Sequence, residues 1–200
     1  MPAMHHMIRL LLERSLWNKR DVGIPYLTGF HPTTPGEVRD WQSFVLSKNQ
    51  STLFSFAGSS HVRQCIGGGG STLSLFLNST FCLQPRDDSF TRRSMFDCIV
   101  VGAILVMFWR RSAHEQYEWY LPMGEEKEKE WLVFADKRNV RRGVVRMKEV
   151  LEGIEEKKVR MMRKKVVELI PKLVYLAEKW LYGGRRRCGA QWVFPEGGEA

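Results

Sequence analysis

The clearest evidence for the fold lies in the segment Thr80–Phe108, TFCLQPRDDSFTRRSMFDCIVVGAILVMF. It begins with a short apolar strand over Thr80–Leu83, continues through a polar loop, and enters a helix over Ser94–Val101, where apolar residues recur at helical spacing. Gly102 is predicted to cap that helix, and the unbroken apolar run Ala103–Phe108 follows it. A helix between two such strands is typical of a buried parallel sheet, so the segment predicts an α/β fold.

The flanking sequence predicts further elements of the same kind. Apolar residues recur at helical spacing in one segment, alternate with polar residues in another, and form short runs elsewhere. The predicted elements are a helix over 36–47, a strand over 52–57, a short helix or strand over 71–78, a strand over 131–134 and a helical region over 141–180 interrupted at Gly153 and Pro171. Residues 1–20 are interpreted as a short amphipathic or extended entry, and residues 21–35 as a loop.

Composition narrows the classes of protein. The 200 residues are 44% hydrophobic and 26% charged, which excludes a mainly disordered chain and a coiled-coil rod. Lys plus Arg is 31 and Asp plus Glu is 22, giving a net charge of +9, which favours anionic partners. One hypothesis consistent with this charge is a nucleic-acid-binding module, but acidic residues interleave with the basic residues of 149–178. We expect a solvated helix face there and no nucleic-acid partner.

The cysteines argue against a structural zinc site, and the longest apolar stretch argues against a membrane-spanning helix. Cys65, Cys82, Cys98 and Cys188 form no C-x-x-C pair, which disfavours a structural zinc site. Cys82 and Cys98 lie in apolar runs and are predicted to be buried free thiols. The stretch Cys98–Trp109 is about 12 residues long, against roughly 20 for a spanning helix. The chain as written is predicted to carry no membrane anchor or signal.

The polar loop before the predicted helix holds the candidate binding residues. In open α/β sheets, ligands lie at the carboxyl ends of strands, near helix N-termini. Two guanidiniums at such a terminus suit a diphosphate, and Asp97, one turn into the helix, can accept hydrogen bonds from a ribose. The candidate donor-binding residues are Ser89, Thr91, Arg92, Arg93, Ser94 and Asp97. The alternative is that the Asp and Arg residues of 87–93 pair with one another at the surface.

The same segment resembles a known family. It is similar to the block F-C-L-Q-P-x-G-D-S-x-T-R-R-S-x-F-D-x-x-x-x-G-C-I-P-V-F-F of plant exostosin-type glycosyltransferases, in the xyloglucan galactosyltransferase branch. Trp17–Pro32, Phe54–Gly58, Ser112–Pro122 and Val159–Tyr175 are similar to flanking motifs of that family. The resemblance covers roughly residues 8–176, in order.

The resemblance implies the Rossmann-like C-terminal lobe of a GT-B glycosyltransferase, in incomplete form. Residues 1–35 would be an entry segment and interlobe loop, 36–180 the donor-binding lobe, and 181–200 a disordered tail. The implied reaction is the inverting transfer of galactose from UDP-galactose to xyloglucan side chains, without a metal or other cofactor. The implied partners are a nucleotide-sugar, a polysaccharide acceptor and other Golgi glycosyltransferases, and the implied location is the luminal side of the Golgi membrane.

Departures from the family pattern favour a truncated member. Ala103 and Leu105 replace the Cys and Pro of G-C-I-P-V, and Trp109 replaces a His. Only about two dozen residues, including the glycine run 67–70, separate the motif Phe54–Gly58 from the block that begins at Phe81, so a βα unit is expected to be missing. The glycine run is interpreted as a connector rather than a phosphate-binding loop. We expect weak or no activity and name no catalytic residue. The alternative is an inactive relic that binds a nucleotide-sugar or a partner glycosyltransferase.

Three further residues are weaker candidates. His31 follows a loop that would face the cleft, although a structural role is favoured for it. Asn49 and Asn78 begin the sequons Asn-Gln-Ser and Asn-Ser-Thr and are candidate glycosylation sites. Glycosylation would suit an enzyme of the Golgi lumen.

Overall fold

A computed structural model describes residues 7–57, 72–85, 91–109 and 112–176. Ser89, the glycine run 67–70, and the predicted tail 181–200 lie outside the described residues, as do the acidic members of the polar loop. The strands and helices are β1 Arg9–Leu11, β2 Asp21–Gly23, α1 Pro35–Ser47, β3 Thr52–Ser55, α2 Thr72–Leu77, β4 Ser79–Gln84, α3 Arg93–Val100, β5 Ile104–Met107, α4 His114–Tyr117, α5 Glu125–Glu128, β6 Leu132–Phe134, α6 Lys137–Arg141, α7 Met147–Glu152 and α8 Glu156–Leu169, followed by a 3-10 turn over Ile170–Lys172.

Four parallel strands form the central sheet in the order β3-β4-β5-β6. Phe81 of β4 pairs with Ile104 of β5, and Val106 pairs with Val133 of β6. Because all four strands run the same way, their carboxyl ends lie along one edge of the sheet. The predicted α/β fold with parallel strands is therefore confirmed, and so are the predicted strands within 52–57, 80–83, 103–108 and 131–134.

The pleat of the sheet separates its two faces. Cys82 and Gln84 of β4 face α3, since Cys82 is bonded to Cys98 and the Gln84 amide lies 3.0 Å from the Cys98 sulfur. Phe81 and Leu83 alternate with them and point to the opposite face. β4 therefore contributes one set of side chains to the packing of α3 and another to the far side of the sheet.

Helices α1 and α8 pack against the end of α3. The Trp41 indole of α1 donates to the Val100 carbonyl at 2.7 Å. Gly102 has φ 67°, and a Cβ there would lie 2.5 Å from Val45 and 2.9 Å from Val167. The predicted cap at Gly102 is confirmed, and the close approach of two helices gives a second reason for glycine.

The breaks within the C-terminal helical region are confirmed. Helix α7 ends at Glu152, where Gly153 forms the cap, and α8 ends at Leu169, where Pro171 enters a 3-10 turn. Pro171 fits the turn because proline has no N–H to donate to a continuing helix. Within the parts of the chain that the structure describes, no helix is long and apolar enough to cross a membrane.

The N-terminal segment is more ordered than its sequence predicts. β1 and β2 form a two-stranded parallel sheet, so Asp21 begins a strand rather than a loop. The reason is a tertiary one: Asp21 is buried and forms an ion pair with Arg9 at 2.7 Å. The segment is held to α4, where Tyr117 donates to the Leu12 carbonyl at 2.9 Å.

The prediction of two free thiols is wrong. Cys82 of β4 and Cys98 of α3 form a disulfide, with their Cα atoms 6.3 Å apart. The strand and the helix that follows it are packed face to face, and each presents its cysteine to the other. Sequence reasoning looked for short cysteine spacings and therefore missed a pair separated by 16 residues.

Candidate functional site

Arg92 precedes α3 and lies at the carboxyl edge of the sheet. Its guanidinium donates to the carbonyl of Ala57 at 3.0 Å and to the carbonyl of Pro85 at 3.3 Å. It also lies 5.3 Å from the centre of the Phe56 ring. Ala57 follows β3 and Pro85 follows β4, so Arg92 fastens the ends of two neighbouring strands to the start of α3.

Arg93 is the accessible member of the arginine pair. Its side chain is 60% exposed, and its Nε lies 3.7 Å from the Asp97 carboxylate one turn further on. An incoming anion can reach this guanidinium without the removal of a buried contact. Of the two arginines predicted to bind a diphosphate, Arg93 is the one whose side chain is exposed.

Asp97 is buried and holds the loop between β2 and α1. Its carboxylate accepts from the Gly29 N–H at 2.8 Å. Burial raises the pKa of Asp97, while the Gly29 hydrogen bond and the charges of Arg93 and His31 oppose that rise. Through this contact Asp97 orients the loop that contains Gly29, and the predicted hydrogen bond to a ribose stays a prediction. His31 is exposed and lies close enough to Asp97 for a charge on its ring to lower the pKa of that carboxyl.

Thr91 and Ser94 are bonded to side chains on either side of the α3 entry. The Thr91 hydroxyl donates to Glu13 at 2.9 Å, and the Tyr26 hydroxyl donates to the same Glu13 oxygen at 2.6 Å. Burial raises the pKa of Tyr26, and Glu13 raises it further. Ser94 donates to Gln84 at 3.0 Å. Glu13 was missed because nothing in its local sequence indicates a contact 78 residues away.

The space around the α3 entry is small where the structure describes it. A cavity of about 10 Å³ lies there. Its lining residues are Gln84, Pro85, Thr91, Arg92, Met95, Met107 and Ser112. That volume holds about one water molecule. The described side chains here therefore pack against one another and do not form a ligand pocket.

A much larger cavity lies along the same edge of the sheet. We call it the carboxyl-edge groove; its volume is about 380 Å³ and its lining residues are Phe56, Leu83, Pro85, Phe108, Lys137, Val140, Arg141 and Met147. Phe56, Pro85 and Phe108 immediately follow β3, β4 and β5, and α6 follows β6. The volume is that of small-molecule sites.

Sequence reasoning missed the carboxyl-edge groove because it considered one strand-to-helix junction. The strand over 131–134 was predicted, and the parallel arrangement brings its carboxyl end to the same edge as the other strands. Applying the same rule there would have pointed to Lys137, in the helix that follows.

The comparison with protein families agrees with this architecture. Residues 60–151 match the exostosin GT47 domain. The predicted resemblance to exostosin-type glycosyltransferases is confirmed. The matched range begins beyond β3 and ends in α7, so it includes the α3 entry and most of the groove.

Curated relatives extend the exostosin resemblance over most of the chain. Xyloglucan galactosyltransferase XLT2 of Arabidopsis thaliana is 44% identical over 202 residues, which cover 87% of this chain and 38% of the relative. Xyloglucan galactosyltransferase MUR3 of the same plant is 36% identical, covering 88% of this chain and 32% of the relative. Xyloglucan-specific galacturonosyltransferase 1, also from Arabidopsis thaliana, is 35% identical, covering 88% and 30%. The chain thus spans less than two fifths of the length of these relatives.

Proposed function

We propose that this chain is the donor-binding part of an inverting glycosyltransferase that transfers galactose from UDP-galactose to xyloglucan. The observation that carries the proposal is the carboxyl edge of four parallel strands, where an accessible Arg93 and a groove of ligand size lie within an exostosin-like sequence. Open α/β sheets bind nucleotides at this edge.

The chemistry of transfer needs positive charge at the leaving group. As the bond between galactose and UDP breaks, the departing UDP gains negative charge on its diphosphate. Fixed cations and helix N-terminal amides stabilise that charge. Arg93 stands in the first turn of α3 and would supply such a charge. The proposal needs no metal or other cofactor for this step. The general base that inversion requires at the acceptor hydroxyl is not assigned to any residue of this chain.

The donor sugar and the cellular location belong to the proposal. Galactose is favoured by the names of XLT2 and MUR3 as galactosyltransferases, although one relative of similar identity is named for galacturonic acid. The Cys82–Cys98 disulfide suits an oxidising compartment such as the secretory lumen. We therefore propose a Golgi-luminal site of action, a polysaccharide acceptor and other Golgi glycosyltransferases as partners.

The second candidate function is a relic that binds a nucleotide-sugar or a partner glycosyltransferase without catalysis. The contacts of Arg92 and Asp97 favour it, because both side chains are bonded to the backbone of this chain. A protein that keeps these residues only to hold its loops together would retain the fold without the transfer.

Two measurements on the full chain test the proposed function. Calorimetry with UDP-galactose should show saturable binding that Arg93→Ala weakens and Arg39→Ala, an exposed arginine on α1, leaves within twofold. Transfer of labelled galactose to a xylose-bearing xyloglucan oligosaccharide then separates the candidates: product above a no-protein control supports the enzyme, and binding without product supports the relic. Absence of binding to a folded chain would overturn both donor-binding functions.

A further inference from the structure

Helix α6 presents a cluster of cationic side chains to solvent. Lys137, Arg138 and Arg141 lie in the helix, Arg142 caps it, and all four are exposed. We call these four residues the α6 basic surface. Residues three and four apart are neighbours on the surface of a helix, so the four side chains form one continuous patch. Val144, just beyond the cap, is 72% exposed, which shows that the described part of the chain leaves this end of the patch uncovered.

The charge of the α6 basic surface is not neutralised within the described structure. No hydrogen bond or ion pair joins any of the four side chains to a residue that the structure describes. The acidic residue next to them in sequence is Asp136, whose carboxylate accepts from the backbone N–H of Arg138 at 2.7 Å and so caps the helix. Four positive charges therefore remain available to an external anion.

The surface differs from the helices that follow it. Exposed cations there have an acidic partner about one turn away; the pairs are Arg146–Glu149, Lys148–Glu152, Arg160–Glu156 and Lys165–Glu168. In α6 the partner one turn away is a second cation, since Lys137 precedes Arg141 and Arg138 precedes Arg142 by four residues. Like charges at this spacing destabilise a helix, and a cation at the first helical residue opposes the helix dipole. The stability of the fold thus does not account for this cluster.

The side chains of the surface indicate the chemistry of its partner. A partner with several negative charges in a row can contact the four cations together. Three of the four are arginines, whose planar guanidinium matches the two oxygens of a carboxylate. Residues 135–146 contain no aromatic side chain on which a nucleic-acid base could stack. An anionic membrane is disfavoured as well, because anionic lipids are concentrated in the cytoplasmic leaflet and the proposed location is luminal.

We propose that the α6 basic surface binds an acidic polysaccharide, a chain that carries a carboxylate on successive sugar rings. The inference rests on the proposed function, because that function supplies a polysaccharide as the partner. One carboxylate accepts from one guanidinium, and the repeat of the sugar chain brings the next carboxylate to the next cation. Arg138 and Arg142 do not line the carboxyl-edge groove, so a polysaccharide held by these two residues leaves the groove open.

Calorimetry at low salt on the full chain tests the proposal. The probes are an oligogalacturonate, its fully methyl-esterified form, a duplex DNA oligonucleotide and UDP-galactose. They are titrated into wild type, Arg138→Ala/Arg142→Ala and Lys148→Ala/Arg160→Ala. The last variant is the matched control, because it removes two exposed cations that already have acidic partners. Circular dichroism checks that every variant is folded.

The expected result is that the oligogalacturonate binds wild type and that added salt weakens it, since salt screens exposed charges. Arg138→Ala/Arg142→Ala should weaken this binding about fivefold or more, while the control stays within about twofold of wild type. The methyl ester has the same sugars without their charges and should not bind. UDP-galactose should bind wild type and both variants alike.

Three results would overturn the proposal. They are equal oligogalacturonate binding by wild type and Arg138→Ala/Arg142→Ala, binding of the methyl ester as tightly as the acid, and tighter binding of the DNA than of the oligogalacturonate. Failure of the oligogalacturonate to bind a chain that still binds UDP-galactose would also overturn it and would leave the proposed function standing. A folded chain that binds the oligogalacturonate but not UDP-galactose would instead overturn the proposed function.

Discussion

The Arg92 guanidinium donates to the Ala57 carbonyl 3.0 Å away, and this contact joins the end of β3 to the start of α3. A second bond from the same guanidinium to Pro85 includes the end of β4. Both acceptors are backbone oxygens just beyond parallel strands, where the ladder no longer satisfies them. One side chain therefore determines how three segments meet at the carboxyl edge.

Arg92→Ala is expected to destabilise the fold, whereas Arg93→Ala is not. Hydrogen bonds from a charged group contribute roughly 1.5–3 kcal/mol each, and Arg92 forms two at a partly buried position. We expect a loss of about 2–4 kcal/mol in the free energy of unfolding for Arg92→Ala and less than about 0.5 kcal/mol for Arg93→Ala. Urea denaturation followed by circular dichroism measures both.

Equal stability of the two variants would contradict this assignment of roles. Arg92→Lys provides a further comparison, because a lysine keeps the charge but cannot present two N–H groups in the fork geometry. Its stability should lie between wild type and Arg92→Ala.

Reduction of the Cys82–Cys98 disulfide should lower stability. The bond closes a loop of 16 residues, for which the chain-entropy estimate is about 3 kcal/mol. Urea denaturation with and without dithiothreitol measures the difference in the free energy of unfolding. Cys82→Ala/Cys98→Ala is the control, since its stability should not respond to dithiothreitol.

Peptide mapping without reduction tests the same bond directly. Digestion should release the peptide containing Cys82 joined to the peptide containing Cys98. A protein in which both peptides are alkylated in the native state would show free thiols and contradict the pairing.

Local patterns predicted the sheet well because they are set within a few residues. The apolar run after Gly102, the alternation over 52–57 and the apolar run over 131–134 each specify a strand without help from distant contacts. The parallel arrangement followed from the helix between two such strands. These features depend on the spacing of apolar residues along the chain, which the sequence shows directly.

The contacts of the site could not be predicted in the same way. Thr91 meets Glu13 across 78 residues, and Asp97 meets Gly29 across 68. The sequence marked Arg92 and Asp97 as polar residues near a helix start but did not show that backbone groups of other segments already engage them. Whether a polar side chain faces a ligand or its own chain depends on tertiary packing.

The stability of the chain is expected to depend on Asp97 through pH. Burial raises the pKa of Asp97 above its ordinary value of 3.8 in the unfolded chain. The folded state therefore holds this proton more tightly, and that contribution to stability is full below pH 3.8. It is lost as pH rises through the raised pKa of the folded state.

Asp97→Asn removes this dependence while retaining an oxygen that can accept from Gly29. The stability of Asp97→Asn relative to wild type should therefore increase as pH rises above about 3.8 and level off once pH exceeds the raised pKa of Asp97. Urea denaturation across this range measures the relative stability, and Asp40→Asn on the exposed side of α1 is the matched control. A relative stability that decreases over the same range would show that the Arg93 and His31 charges outweigh burial.

Glycosylation at Asn49 and Asn78 should leave nucleotide binding unchanged. Both side chains are exposed, and the two residues precede β3 and β4, at the amino edge of the sheet. The groove lies beyond the carboxyl ends of the same strands, so a glycan at either position extends away from it.

Expression through a secretory pathway, followed by intact-mass measurement, should show one glycan on each of Asn49→Gln and Asn78→Gln and none on the double variant. Calorimetry with UDP should then give the same affinity for the glycosylated chain and the double variant, because the two ends of the sheet are separated by the length of its strands; an affinity that rises when the glycans are absent would place the nucleotide at the amino edge instead.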